Sequence, residues 1–267
     1  MRGRILIVAG SDSGGGAGIQ ADIKTVTALD GYAMTAITAL TAQDTLGVHG
    51  VVPVDPAFIR QQMELCLADI GADAVKTGML HDGPVIAAVA GTVEAKAPKA
   101  AFVVDPVMVA KGGAKLLRDD AIDAVRGLLT PLATVMTPNT EEAAALTGIA
   151  VASTADMERA GRAILALGCR AVLMKGGHLT GPVVHDLLVE ESGITRFESP
   201  RVETRSTHGT GCTLASAIAT GLAQGLGLVD AVRRARAYVL EAILSAPGLG
   251  QGHGPLNHAH TVRRFTA

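Results

Sequence analysis

Short, mainly apolar runs recur along this chain, and each gives way to a glycine or a polar residue. Residues 5–9 are Ile, Leu, Ile, Val and Ala before Gly10; 33–40 end before Thr41, 74–76 before Thr77, 101–104 before Asp105, 133–136 before Thr137 and 171–174 before Lys175. The run 5–9 is apolar at every position and too short for a helix, so it reads as a parallel strand covered on both faces. Between the runs lie segments with helical spacing, such as Ile59, Met63 and Leu67, then Val85, Val89 and Val93. Strand and helix in alternation predict an α/β fold. In a parallel sheet the strand ends all face one edge, so the junctions at 10, 41, 77, 105, 137 and 175 are expected to meet in one cleft.

Composition narrows the classes. A chain of 267 residues with 32 glycines, 48 % hydrophobic and 2 % aromatic residues builds a core of small aliphatic side chains with many sharp turns. That length allows one large core or two modest ones, and the lack of a linker or repeat favours a single domain over 1–267. A formal charge of -2 gives no electrostatic reason for a nucleic-acid partner. Cys66, Cys169 and Cys212 show neither close pairing nor CxxC spacing. The sequence carries no leader pattern and no apolar span of membrane length, so a cytoplasmic protein without a membrane partner is expected. Residues 41–54 read as a flap or short strands, and 183–190 with 194–198 as an antiparallel hairpin at a sheet edge. Helices are expected near 120–129, 157–167, 213–223 and 228–244.

The junctions carry the candidate chemistry. The glycine loop 10–18 continues with Ala17, Gly18 and Ile19 where an ATPase phosphate loop needs Lys and Ser or Thr. A dinucleotide fingerprint fails too, because Asp30 follows helical sequence instead of ending a second strand. Gln43 and Asp22 have the donors and acceptors to read a polar heteroaromatic rim; the alternatives are a turn residue and a solvated helix carboxylate. Asp105 closes an apolar strand before Pro106, where packing explains it poorly; a magnesium–phosphate group or a turn would use it. Asn139 reads as a helix cap that, with Glu142, could also hold hydrated magnesium near Asp105. Lys175 is either a point charge for phosphate or a solvated lysine. Gly209 to Cys212 lead straight into a small-residue helix, which gathers free N–H groups and the positive helix end at one point. An anion would sit there and the Cys212 thiolate would be stabilised; the plainer reading is close packing around an inert thiol.

Taken together, AGSDSGGGAGIQAD at 9–22, TAQDT at 41–45, KTGM at 76–79, DPVM at 105–108, TPN at 137–139 with Glu142, KGGH at 175–178 and HGTGC at 208–212 resemble the hydroxymethylpyrimidine/phosphomethylpyrimidine kinases of thiamine biosynthesis. The motifs occur in order over nearly the whole chain. The resemblance implies a ribokinase-like three-layer α/β/α fold with a mostly parallel sheet. It also implies ATP with Mg²⁺ as donor, a monovalent cation as an open requirement, a pyrimidine alcohol and then its monophosphate as acceptors, and a homodimer. By motif it places Gly10, Asp22, Gln43, Met79 and Val107 around the substrate. Asp105, Asn139, Glu142, Lys175 and Thr210 fall on the nucleotide, with Asp105 and Glu142 toward the metal, directly or through water. Gly209, Gly211, Cys212 and Lys175 fall at the transfer itself. Asp44 stands where the family more usually has asparagine. The rival readings are a pyridoxal kinase and a non-catalytic pyrimidine or nucleotide sensor.

Overall fold

A computed structural model describes residues 2–262 apart from 110–112, 114–115 and 119–120. Among these, nine strands form one sheet: β1 (Arg4–Asp12), β2 (Tyr32–Gln43), β3 (Val48–Pro53), β4 (Ala74–Thr77), β5 (Ala101–Val104), β6 (Val135–Met136), β7 (Ala171–Lys175), β8 (Val183–Glu190) and β9 (Gly193–Pro200). The spatial order is β3-β2-β1-β4-β5-β6-β7-β8-β9. Strands β2, β1, β4, β5, β6 and β7 run parallel, β3 pairs antiparallel with β2, and β8 with β9 form the antiparallel hairpin on the other edge. The 41–54 segment is therefore the far end of β2 with β3.

Period-two alternation in β1 sends Leu6 and Val8 to one face and Ile5, Ile7 and Ala9 to the other, and all five are fully or almost fully buried. The first face is covered by α2 (Pro56–Asp69), α3 (Gly83–Lys96), α5 (Thr140–Thr147) and α6 (Thr154–Leu165). The second is covered by α1 (Gly18–Ala28), α7 (Thr210–Ala223) and α8 (Leu228–Leu244). Each large aliphatic chain buried in these layers contributes about 1.5–3 kcal/mol of transfer free energy, so both faces must stay covered. The three-layer arrangement is the expected one.

Helix α7 is apolar nearly all round and buried from Thr213 through Gly221, as a helix lying inside a layer must be. Its small residues permit close approach: a Cβ on Gly221 would lie 2.9 Å from Ala231 Cβ of α8. The helix expected at 120–129 is not a regular one. Its expected start, residue 120, lies outside the described residues; α4 (Ile122–Ala124) then widens into a π-type turn at Val125–Leu129 and tightens at Thr130–Leu132 around Pro131. Proline removes an N–H donor there and ends the regular ladder. Among the described residues no helix is long and apolar enough to cross a membrane.

The chain leaves β1 toward β2 through α1, and reaches β4 on the other side of β1 through α2. The sheet thus reverses direction between β1 and β4, and such a reversal opens a crevice at the carboxyl ends of the strands.

Candidate active site

A cavity of about 770 Å³ opens at that edge, lined by Gly10, Gln43, Met79, Val107, Asp105, Asn139, Glu142, Lys175, Gly209, Thr210, Gly211 and Cys212. Asp22 is the one residue of the sequence-derived set that does not line it.

The glycine loop after β1 is built on Asp12. Its carboxylate accepts N–H groups from Gly14 (2.8 Å), Gly16 (3.0 Å) and Ala17 (2.8 Å), and lies 2.8 Å from His208 Nε2. Burial opposes its charge, but His208 and the Ala17 and Gly14 amides outweigh that and hold Asp12 below the usual carboxylate range. The loop therefore turns its amides onto its own chain and is no phosphate nest. His208 Nε2 also lies 3.3 Å from Gln43 Nε2, and Thr41 Oγ1 donates to Ser11 O and Gln43 Oε1. Sequence reasoning did not single out Asp12 or His208. The rule that found Asp105, a carboxylate ending an apolar strand, applies equally to Asp12.

On the other side, Asp105 Oδ1 accepts from Thr137 Oγ1 and Lys175 Nζ, both at 3.0 Å, and Lys175 Nζ stands 3.8 Å from Glu142 Oε2. Burial opposes the Lys175 charge, yet Asp105 and Glu142 hold it above its ordinary range, so it is not a solvated lysine. Asn139 and Glu142 make a full capping box: Asn139 Oδ1 accepts from the Glu141 and Glu142 amides at 2.9 Å each, and Glu142 Oε2 from Asn139 N at 2.7 Å. The Asn139 oxygen is thus committed to the helix, and the expected Asn139–Glu142 oxygen pair reduces to Glu142. Among the described residues no group of three or more His, Cys, Asp or Glu could enclose a metal. Two carboxylates, Asp105 and Glu142, fit Mg²⁺, which is commonly bound through one or two carboxylates together with substrate phosphates.

Helix α7 opens between these halves. Gly209 caps it in the left-handed region (φ 83°) with no side-chain cap, and its carbonyl takes the Thr213 amide at 2.9 Å. Thr210 Oγ1 donates to Thr207 O at 3.2 Å. The first-turn amides of Gly211 and Cys212 are the orphans that any helix start leaves. Gly211 brings the chain close: a Cβ there would lie 3.4 Å from Lys175 Nζ and 3.7 Å from Asp105 Oδ2.

Two expectations need correction. Asp22 is neither solvated nor on the cavity wall. It is fully buried, its oxygens each 2.9 Å from Lys76 Nζ, with Ser216 Oγ donating at 2.6 Å. Both of its oxygens are engaged by Lys76 and one also by Ser216. The Cys212 thiol is not acidified. Burial pushes it up to about 11; Lys76 pulls the other way, while Asp22 and Asp105 add to the rise. A helix end contributes only part of a charge, which does not offset desolvation beside two carboxylates.

Glu142 gives a pH prediction. Burial pushes it up to about 7, with Lys175 pulling down and Asp105 pushing up, against an ordinary 4.5. Between those values the folded chain holds the proton and the unfolded chain does not. Its contribution to stability is whole below about 4.5 and is lost as pH rises through about 7. Glu142→Gln keeps the capping box and removes this titration. Melting temperature followed from about pH 5 to about pH 8 should fall more steeply in the wild type than in the variant; parallel slopes would refute the assignment.

Residues 12–257 match the phosphomethylpyrimidine kinase family. The chain is 51 % identical over 257 residues to the thiamine biosynthesis bifunctional protein ThiED of Geobacter sulfurreducens, which covers 96 % of this chain but only 52 % of that protein, about half its length. It is 49 % identical over 258 residues to the hydroxymethylpyrimidine/phosphomethylpyrimidine kinase of Rhizobium meliloti, covering 96 % of each. Among solved structures, pyridoxal kinase from Staphylococcus aureus in complex with pyridoxal superposes with a TM-score of 0.91 at 36 % identity over 98 % of this chain and 96 % of that one. Phosphomethylpyrimidine kinase from Clostridium difficile gives 0.80 at 42 % identity over 90 % and 99 %. The expected ribokinase-like fold is therefore established. A family match across this span, carried by whole-length relatives near half identity, settles the affiliation: the chain belongs to the phosphomethylpyrimidine kinases.

Proposed function

We propose that this chain transfers the γ-phosphoryl group of ATP to the hydroxymethyl oxygen of 4-amino-5-hydroxymethyl-2-methylpyrimidine, and then to the resulting monophosphate. The observation that supports this reading is a single cavity lined by Gln43, Met79 and Val107 together with Asp105, Glu142, Lys175 and the open start of α7. A small polar ring and a polyphosphate would meet there.

In this mechanism Gln43 reads the ring edge while Met79 and Val107 flank its faces. Asp105 and Glu142 would hold Mg²⁺, which when bound supplies positive charge to the phosphates. Lys175 and the Gly211 and Cys212 amides face the transferring group, where fixed donors offset developing charge. The substrate oxygen forms its bond to the γ-phosphorus as the bond to the bridging oxygen breaks, and that electron pair leaves with ADP. The hydroxyl proton goes to Cys212 in its thiolate form, the thiol's own proton having passed to solvent beforehand. Because burial keeps most of the sulfur protonated, only the minority thiolate serves, and a loose transition state asks little of a base at the start.

Product analysis tests the reading, with the alcohol and the monophosphate offered separately with ATP and Mg²⁺. Both should be phosphorylated. Cys212→Ser should slow the alcohol step by about 10²-fold or more and the monophosphate step far less, since its attacking oxygen is already acidic. Equal losses would remove Cys212 as the base. The high TM-score to a pyridoxal kinase favours pyridoxal as a second acceptor. Competition between pyridoxal and the aminopyrimidine decides it.

A further inference from the structure

Beneath the cavity floor lies an ion pair that the mechanism so far leaves idle. Lys76 is fully buried within β4, and among the described residues Asp22 of α1 is its sole acceptor. Asp22 is fixed in turn by Ser216 Oγ of α7 at 2.6 Å. Ser216 follows Cys212 by four residues, so the two share one face of α7, a turn apart. The pair thus lies against the same helix face that presents Cys212 to the cavity. The floor above it is thin. A Cβ on Gly78, a cavity-lining residue, would stand 3.2 Å from Lys76 Nζ.

Packing does not account for such a pair, because exchanging a buried ion pair for apolar side chains is often neutral or stabilising. Its position does suggest a use. We propose that Lys76, held by Asp22, which Ser216 fixes in turn, is a positioning residue for phosphoryl transfer: it keeps a positive charge against the α7 face that carries Cys212 and so sets how readily that sulfur takes the substrate's hydroxyl proton. The proposal rests on the kinase reading above. Burial opposes the Lys76 charge, but Asp22 and the nearby Cys212 and Asp105 hold it above its ordinary range, so the ammonium persists. Around the Cys212 sulfur the charged groups are Lys76 from β4, Asp22 from α1, Asp105 after β5 and Lys175 at the end of β7, with the Gly18 N–H from the start of α1. Lys76 is the largest influence there favouring the thiolate. In the step it serves, Cys212 has first given its own proton to solvent; the hydroxyl proton then passes to that thiolate as the oxygen's pair bonds to the γ-phosphorus, and the bridging oxygen leaves with the electrons of the broken P–O bond.

The test is the paired variant Lys76→Met/Asp22→Asn, which removes both charges and leaves no lone buried ion. A second pair, Lys76→Gln/Asp22→Asn, keeps a hydrogen bond and serves if the first melts early. The first readout needs no catalysis: iodoacetamide labelling of Cys212, located by peptide mass spectrometry and followed against pH. The pair should move its midpoint upward by about one pH unit, an about tenfold loss of labelling at fixed pH below it. The second is a cycle with Cys212→Ser. The pair should slow alcohol phosphorylation by about tenfold when Cys212 is present and by less than about twofold when serine replaces it, with KM for ATP unchanged. An unmoved labelling profile, or the same fold loss in both backgrounds, overturns the proposal. If the wild type phosphorylates no pyrimidine at all, the kinase reading fails, while the labelling profile still reports on Lys76.

Discussion

Asp105→Asn should lower the rate of phosphoryl transfer by about 10²- to 10³-fold while the protein melts close to the wild type. The asparagine oxygen can still accept from Thr137 Oγ1 and Lys175 Nζ, each 3.0 Å from Asp105 Oδ1. Lys175 keeps a second carboxylate, Glu142, at 3.8 Å. The exchange therefore leaves shape and hydrogen bonds in place and removes one negative charge from the carboxylate pair. If that charge serves the metal and the phosphates, the loss falls on the transfer and on the Mg²⁺ requirement together. Single-turnover rates across a Mg²⁺ titration should show a midpoint raised about tenfold or more. An unchanged midpoint with a rate within about threefold of the wild type would mean that Asp105 only anchors Lys175.

Position was easier to read from the sequence than partnership. Parallel strands send their carboxyl ends to one edge whatever their side chains do, so the convergence of Gly10, Gln43, Asp105, Asn139 and Lys175 followed from topology alone. The helix expected at 228–244 has those bounds because its pattern is amphipathic throughout. Strand β1 runs on to Asp12, past the apolar run, because Ser11 and Asp12 pair with Leu40 and Thr41 of β2 after a register shift. Residues that act through distant partners left little local trace. Asp22 and Lys76 are 54 positions apart, and nothing around either announces the other. A lysine in a strand covered on both faces does need a buried acid, which is the signal that could have found the pair. Asp12 reaches the Gly16 and Ala17 amides because the loop curls at Gly15 (φ 76°). The acidity of Cys212 went the other way because the helix-end rule gives one local influence, whereas desolvation is set by the whole fold.

The largest loss of folded protein should come from Gly209→Ala. The residue holds φ 83°, and an added Cβ would stand 1.9 Å from the Gly16 carbonyl oxygen and 2.9 Å from its carbon. Both are backbone atoms, so no rotamer relieves the overlap. Gly16 is hemmed in reciprocally: its own Cβ would meet His208 Cδ2 at 2.4 Å. The glycine loop and the turn before α7 thus interlock backbone to backbone, with the Asp12–His208 contact fastening them. A side chain in the left-handed region costs about 1–3 kcal/mol by itself, and the clash should bring the total to about 4 kcal/mol or more. Gly211→Ala is the informative contrast. It lies in the helix, where alanine is favoured by roughly 0.5–1 kcal/mol, and its nearest contacts would be an ordinary 3.4 Å to Lys175 Nζ and 3.7 Å to Asp105 Oδ2. This variant should fold as well as the wild type yet lose activity, since its methyl occupies the approach of a phosphate oxygen to the first-turn amides. Thermal melts and transfer rates on both variants separate the two roles. A Gly209→Ala protein melting like the wild type would show that the two loops do not hold each other, and a fully active Gly211→Ala with an ordinary KM for ATP would remove the start of α7 from the phosphate site.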